Sequence, residues 1–243
     1  MMTTLDPALL RELAPSETLR IGINLGNPVI AQRHPHGGDP AGVGPALGRE
    51  LARRADLPLQ FVTYETAGLM ADAVRRGEWD VAFLAADPAR ATEIAFTAPY
   101  VLIEGAYMVP NASKITGNAS VDREGVRIAV GNKTAYDLYL SREIRHAILV
   151  RAESSRAAIE RYLREGLEVV AGVRQPLQSA ASEHTDHRLL PESFMVIRQA
   201  AGVPGGRERA RAWVEAVIED AKRSGFVREA LVDSDQGDVT IAP

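Results

Sequence analysis

The chain has 243 residues, 46% of them hydrophobic and 25% charged, enough for one large or two small globular domains. Its net charge of -4, with arginines scattered among glutamates and aspartates, excludes the basic stripe that nucleic-acid binding needs. Having no cysteine, it has no disulfide, no thiolate nucleophile and no cysteine-based metal site.

Met1 to Arg20 holds Asp6, Pro7, Glu12, Pro15 and Glu17 and lacks an apolar core of signal-peptide length. Nowhere is there a run of about 18 apolar residues that could span a bilayer. Pro7 to Leu13 reads as a short amphipathic helix leading into a first strand, Leu19 to Asn24. Gly44-Pro45 opens a helix with Leu47, Leu51 and Ala55 on one face, Pro45 supplying the fixed φ of a first helical position. A strand from Leu59 to Tyr64, a helix from Leu69 to Arg76 closed by Gly77, and a strand from Trp79 to Ala86 complete a βαβαβ half.

Val81 to Ala86 is the unbroken apolar run of a strand covered on both faces, and Asp87-Pro88 stops it. Ala85 and Arg90 then fall at and just beyond the strand's carboxyl end, where open α/β sheets bind ligands. A guanidinium there can hold a carboxylate through two parallel hydrogen bonds. Spacing alone leaves open a surface arginine paired with Glu93.

Asn111 to Glu124, rich in Asn, Ser and Gly, reads as a surface connection. The pattern then restarts with a strand from Val126 to Val130, a helix from Thr134 to about Ile144 and a strand from Ala147 to Val150. Ser154 or Ser155 caps a helix running to Arg164, with Ala158, Tyr162 and Leu163 on its face, and Leu167 to Val173 is another buried strand. Arg207 to Ser224 is helical, with Ala210, Trp213, Val217 and Ala221 in one stripe, Lys222 and Arg223 in the last turn and Gly225 as C-cap.

Thr134, at the start of its helix, can offer its hydroxyl and neighbouring N–H groups to an anion; an ordinary N-cap is the alternative. Asn27 and Thr66, after the first and second strands, are further hydrogen-bonding candidates, although both types recur in loops for local reasons. His34 and His36 flank Pro35, and His184 and His187 lie in a polar stretch; neither pair has metalloenzyme spacing, and solvated loop histidines are expected. The chain shows no dinucleotide fingerprint, nucleophile elbow or phosphate loop, and no cofactor is expected.

Arg90 followed, after a short helical spacer, by Phe96-Thr-Ala-Pro-Tyr100 resembles the signature of the family 3 extracellular solute-binding proteins, receptors of amino-acid ABC transporters. Leu19 to Asn24 with Pro28 is similar to that family's first strand and ligand loop, and Gly125 to Val130 with Thr134 resembles the opening of its second lobe. The resemblance implies an α/β, two-lobed type II periplasmic-binding-protein fold, with lobe 1 from 1–102 plus 199–243 and lobe 2 from 103–198. Two crossing hinge strands, near Tyr100 to Met108 and Phe194 to Ala201, would let the lobes close around a ligand. The implied ligand is a small carboxylate-bearing solute, amino-acid-like or an organic acid, contacted by Arg90, Thr134, Lys133, Asn27, Thr66, Ala85 and Arg174. The resemblance further implies an ABC transporter permease as partner, a monomer without catalytic residues, and a periplasmic site of action. The chain shows no secretion signal and would be cytoplasmic if complete, and a leaderless relative is slightly favoured.

Some relatives of the fold are prephenate or arogenate dehydratases, so a cytoplasmic lyase using Glu104, His146 or Glu168 is an alternative, as is a sensor with no transporter. This chain also departs from the family pattern. Lys133 stands at a glycine position, and Val173-Arg174-Gln175-Pro176 replaces the acidic residue that holds a ligand's ammonium group. An α-amino acid would then bury an uncompensated cation, so a di-acid or other anion is expected to bind better. Arg174 would favour a second acidic group, unless it points to solvent or pairs with a neighbour. Neither Leu25-Gly26-Asn27-Pro28 nor Glu65-Thr66-Ala67-Gly68 supplies an aromatic clamp, for which Tyr64 and Tyr100 are the nearest substitutes.

Overall fold

The computed structural model describes residues 5–34 and 36–243, so the first four residues and Pro35 lie outside it. The chain divides into a unit made of Met1–Leu102 and Arg198–Pro243, and a second made of Ile103–Ile197.

Unit 1 opens with α1 (Pro7–Leu13), capped by Asp6, whose carboxylate accepts the Ala8 N–H at 3.1 Å. Strands β1 (Leu19–Asn24), β2 (Leu59–Tyr64) and β3 (Val81–Ala85) form a parallel sheet in the order β2-β1-β3, with Asn24 level with Tyr64 and Ile23 with Phe83. All five residues of β3 are buried, as its apolar run requires. Between β1 and β2 runs α2 (Val43–Ala55), which begins earlier than Gly44-Pro45 suggested. Pro45 is thus the third helical residue, where a missing N–H still costs no intrahelical bond. Helix α3 (Ala67–Asp72) starts at Thr66 and tightens into a 3₁₀ turn, Ala73–Arg76, ended by Gly77 at φ 61°. Trp79 is wholly enclosed among Met70, Ala73, Ala82, Leu84 and Ile94, and its indole N–H donates to Met70 O at 2.9 Å.

The long strand β4 (Ile94–Pro110) passes from unit 1 into unit 2 and includes the Phe96 to Tyr100 segment. Side chains satisfy the backbone around Pro99: Ala201 N–H donates to Thr97 Oγ1 at 3.2 Å and Ala98 N–H to Glu215 at 3.3 Å.

Unit 2 contains β5 (Arg127–Gly131), α4 (Ala135–Glu143), β6 (Ile148–Ala152), α5 (Ser155–Glu165), β7 (Val169–Val173), α6 (Arg174–Glu183) and β8 (His187–Leu189). Its sheet runs β4-β7-β5-β6, with β5, β6 and β7 parallel, and β4 antiparallel to both β7 and β8. Ala106, Met108, Ala129, Ala158, Tyr162, Val170 and Leu177 fill its core. His187 belongs to β8 and packs edge-on against Tyr162, ring centroids 5.3 Å apart, so it is not a solvated loop residue.

The chain returns through β9 (Met195–Pro204), which pairs with β3, then α7 (Glu208–Arg223), α8 (Phe226–Val232) and β10 (Thr240–Ile241), which pairs with β4. Ala210, Val214, Val217, Ile218 and Ala221 make the buried face of α7, and Trp213 is half-buried at its margin. Gly225, read as a C-cap, lies one residue past the Ser224 cap of α7 and is the N-cap of α8.

Two ion networks fix unit 1. Asp80, fully buried before β3, accepts from Arg20 N–H at 3.1 Å, Arg20 Nε at 2.9 Å, Arg20 Nη2 at 2.8 Å and Arg207 Nη1 at 3.0 Å. On α2, hydrogen bonds from Arg53, with others from Arg54, hold the Glu50 carboxyl at about 2, against an ordinary value near 4.5. Because the folded value is the lower one, Glu50's contribution to stability is complete above pH 4.5 and is lost as pH falls towards 2. Urea midpoints measured across that window should fall less steeply in Glu50→Gln than in the parent protein.

Candidate functional site

In unit 1 the segments following β1, β2 and β3 leave the sheet at one carboxyl edge, which places Asn27, Thr66, Ala85 and Arg90 there. Arg90 is 6% exposed and donates from Nη1 to Ala85 O at 2.8 Å. Between Arg90 and Phe96 the chain makes hydrogen-bonded turns and then enters a strand at Ile94, rather than forming a helical spacer: Glu93 N–H and Ile94 N–H both donate to Arg90 O, at 3.1 and 3.0 Å. Burial pushes the guanidinium down to about 10, opposed by the carboxylates of Asp87 and Asp72, so Arg90 is cationic at neutral pH. The surface pair with Glu93 does not describe a residue this buried, and Arg75 Nε holds the Glu93 carboxylate at 2.7 and 2.9 Å.

The remaining unit 1 candidates have local duties. Thr66 Oγ1 accepts the Leu69 N–H at 3.2 Å as the cap of α3, and Asn27 Oδ1 accepts the Val29 N–H at 3.3 Å. Tyr64 donates its hydroxyl to Glu78 at 2.8 Å. Tyr100 is wholly enclosed and packs edge-on against Phe83, so it belongs to the core rather than to a clamp.

In unit 2 the segments after β5 and β7 also share a carboxyl edge, and Glu104 on β4 joins them because Gly105 is level with Val173. Thr134, 8% exposed, caps α4: Oγ1 accepts Asp137 N–H at 3.1 Å and donates to Gly131 O at 2.9 Å. Asp137, 3% exposed, accepts Lys133 N–H at 2.8 Å and Arg151 Nε at 3.0 Å. The amino end of α4 therefore already holds a carboxylate. Sequence reading overlooked Asp137, although Thr134-x-x-Asp137 has the spacing of a capping box.

Lys133 has φ 55°, the left-handed conformation that a glycine takes without strain and that costs another residue about 1–2 kcal/mol. Lys133→Gly should raise unfolding stability by up to about 1 kcal/mol, glycine's greater unfolded-state entropy offsetting the rest. Thermal melts would check this.

Arg174 begins α6 and pairs with a neighbour: Nε donates to Glu104 Oε2, and Nη2 to Pro191 O at 3.4 Å. Glu168 precedes β7 and is bound to Arg127 at 2.9 Å, and exposed His146 precedes β6. Both sit at the amino ends of their strands, away from the edge that holds Thr134 and Arg174. No group of three or more His, Cys, Asp and Glu among the described residues could hold a metal ion.

Two α/β units, each presenting charged and polar groups at the carboxyl edge of its parallel strands, give the chain the fold of the two-lobed periplasmic binding proteins. The chain belongs to the bacterial extracellular solute-binding proteins, family 3, whose pattern it matches over residues 19–231. It is similar in structure to the substrate binding protein of an amino acid ABC transporter, at 17% identity over 89% of this chain and 97% of that one, TM-score 0.75. A histidine kinase sensor domain with similarity to periplasmic binding proteins matches at 18% identity over 93% and 98%, TM-score 0.78. The ancestral amino acid-binding protein AncCDT-1, a precursor of cyclohexadienyl dehydratase, matches at 18% over 92% and 97%, TM-score 0.76. None of the curated protein sequences matches the chain. No helix among the described residues is long and apolar enough to cross a membrane.

Proposed function

We propose that the protein captures a small carboxylate-bearing solute, amino-acid-like or an organic acid, and hands it to an ABC transporter permease without chemical change. The observation that carries this is Arg90, a cation held in place at the carboxyl edge of β3 by Ala85 O. Membership of a solute-binding family supports capture, and the similarity to a receptor of an amino acid ABC transporter supports the permease as partner. Action outside the cytoplasmic membrane, as a monomer, goes with this reading. Asn27 and Thr66 are the further polar candidates of the first unit, and Thr134 and Lys133 those of the second. A lyase is less well supported, because Glu104, Glu168 and His146 do not converge.

The experiment is a thermal-shift panel of the common amino acids, their 2-oxo acids and small dicarboxylates. A true ligand at a hundredfold its Kd adds about 2.7 kcal/mol, roughly 5–10 °C for a chain of this size. A panel with no shift would count against solute capture, and consumption of the bound compound would convert the reading to an enzyme.

A further inference from the structure

We propose that the short strand β10, clipped by Lys222, is a brace that holds β4 to unit 1 as far as Leu102 and so confines the bending of β4 between the units to Ile103 and Glu104. The brace concerns motion and stands independently of solute capture.

Strand β4 leaves unit 1 at Leu102 and enters unit 2 at Ile103. Its last stretch in unit 1 needs support, because Pro99 has no N–H to give to a ladder. Three contacts from later in the chain supply it. Glu215 on α7 accepts the Ala98 N–H at 3.3 Å. Two turns further along α7, Lys222 Nζ donates to Pro99 O at 3.4 Å, to Glu219 Oε1 at 2.7 Å and to Pro243 O at 2.8 Å. An ammonium group has three donors, and all three are in use on a side chain only 6% exposed. Lys222 therefore grips β4 and the residue that follows β10 with one atom. The third contact is β10 itself, with Ile241 level with Val101, Thr240 level with Leu102, and Ala242 N–H donating to Tyr100 O at 3.1 Å. Val239 and Ala242 are buried on either side of it, and Arg228 Nη1 fixes the approach through Gly237 O at 2.9 Å.

The ladder of unit 2 begins just beyond the brace. Strand β7 takes up β4 at Gly105, level with Val173, and continues to Met108. Ile103 and Glu104 thus lie between two antiparallel ladders, and the division between the units falls there. Strand β9 also neighbours β4, but it is itself the returning crossing strand, passing into unit 1 at Arg198, so near the crossing it anchors β4 to neither unit. A strand held on both sides of a short gap takes its φ/ψ change in the gap. Without β10 and the Lys222 clip, the free length of β4 reaches back to Pro99, and a longer hinge admits more orientations of one unit against the other.

Hydrogen exchange and spin-label distances on the ligand-free protein test this, so the result depends on no solute. The variants are a chain ending at Val239 and Lys222→Met, which keeps an apolar stem and removes the donors. In both, the amides of Tyr100 to Glu104 should exchange roughly 10- to 100-fold faster than in the parent, while those of β3 stay within about threefold. The chain has no cysteine, so Arg11→Cys in unit 1 and Glu160→Cys in unit 2, both at exposed positions, accept one label each. The distance distribution between the labels should broaden when either variant is added. Equal acceleration in β3 would mean that β10 contributes only general stability, and that overturns the proposal. So does unchanged exchange at Val101 and Leu102. Faster exchange with an unchanged distance distribution overturns it too, because β10 would then hold β4 without governing where it bends. If the shortened chain does not fold, Lys222→Met decides by the same two readings.

Discussion

Arg90→Lys is expected to lose roughly 30- to 1000-fold in affinity for whichever solute the panel identifies, while the ligand-free protein melts close to the parent. Lysine keeps a positive charge beside Asp87 and Asp72, so the ligand-free electrostatics around the turn are largely retained. What it loses is the planar fork. A guanidinium can keep its bond to Ala85 O through Nη1 and still present further N–H donors to a carboxylate, whereas an ammonium group offers one point of charge. The affinity range corresponds to about 2–4 kcal/mol for a buried charge-assisted contact. Arg90→Ala is the poorer probe, because it also removes the donor to Ala85 O and a positive charge beside Asp87 and Asp72 and so mixes folding with binding. Unchanged affinity in Arg90→Lys by calorimetry would remove Arg90 from the site.

The parts of the fold legible in the sequence are those written in local pattern. Strands β1 and β2 emerge with the predicted ends because short β-branched runs are bounded by turn residues, and β3, at Val81–Ala85 shorter than the expected Trp79 to Ala86, emerges because its apolar run is stopped at Asp87-Pro88. Arg90 was found for the same reason: burial on both faces of β3 and a break just after it fix where the arginine lies. Long-range pairings left no such trace. Glu104 and Arg174 are 70 positions apart and meet only because β4 runs antiparallel to β7. The capping roles of Thr66 and Thr134 were foreseen as alternatives, yet sequence could not say that Asp137 would also occupy the start of α4. Tyr100 looked like a clamp residue by position and is core by packing, a distinction that depends on Phe83 across the sheet. Helix α8 and strand β10 are too short to show a period.

Asp80→Asn is expected to cost about 3 kcal/mol of unfolding stability, with no loss of solute affinity. Asp80 has no exposed side-chain surface and is the shared acceptor for Arg20 and Arg207, which are themselves only 23% and 22% exposed. Asparagine fits the space but cannot neutralise two guanidinium groups, and removing one partner from a buried ion network typically costs about 3–5 kcal/mol. The lower end applies because both arginines retain some solvent and other acceptors, Gly77 O for Arg20 and Glu12 O for Arg207. Asp80 precedes β3 and Arg90 follows it, so the two substitutions act at opposite ends of one strand and should separate stability from binding. Urea unfolding would show a lower midpoint with the slope unchanged. Glu160→Gln supplies the comparison: its pair with Arg156 leaves the side chains 56% and 90% exposed, and surface pairs of that kind contribute about 0–1 kcal/mol. If Asp80→Asn moved the midpoint no further than Glu160→Gln, the arginines around Asp80 would have to be as well solvated as a surface pair, and the network would not be what ties β1, β3 and the start of α7 together.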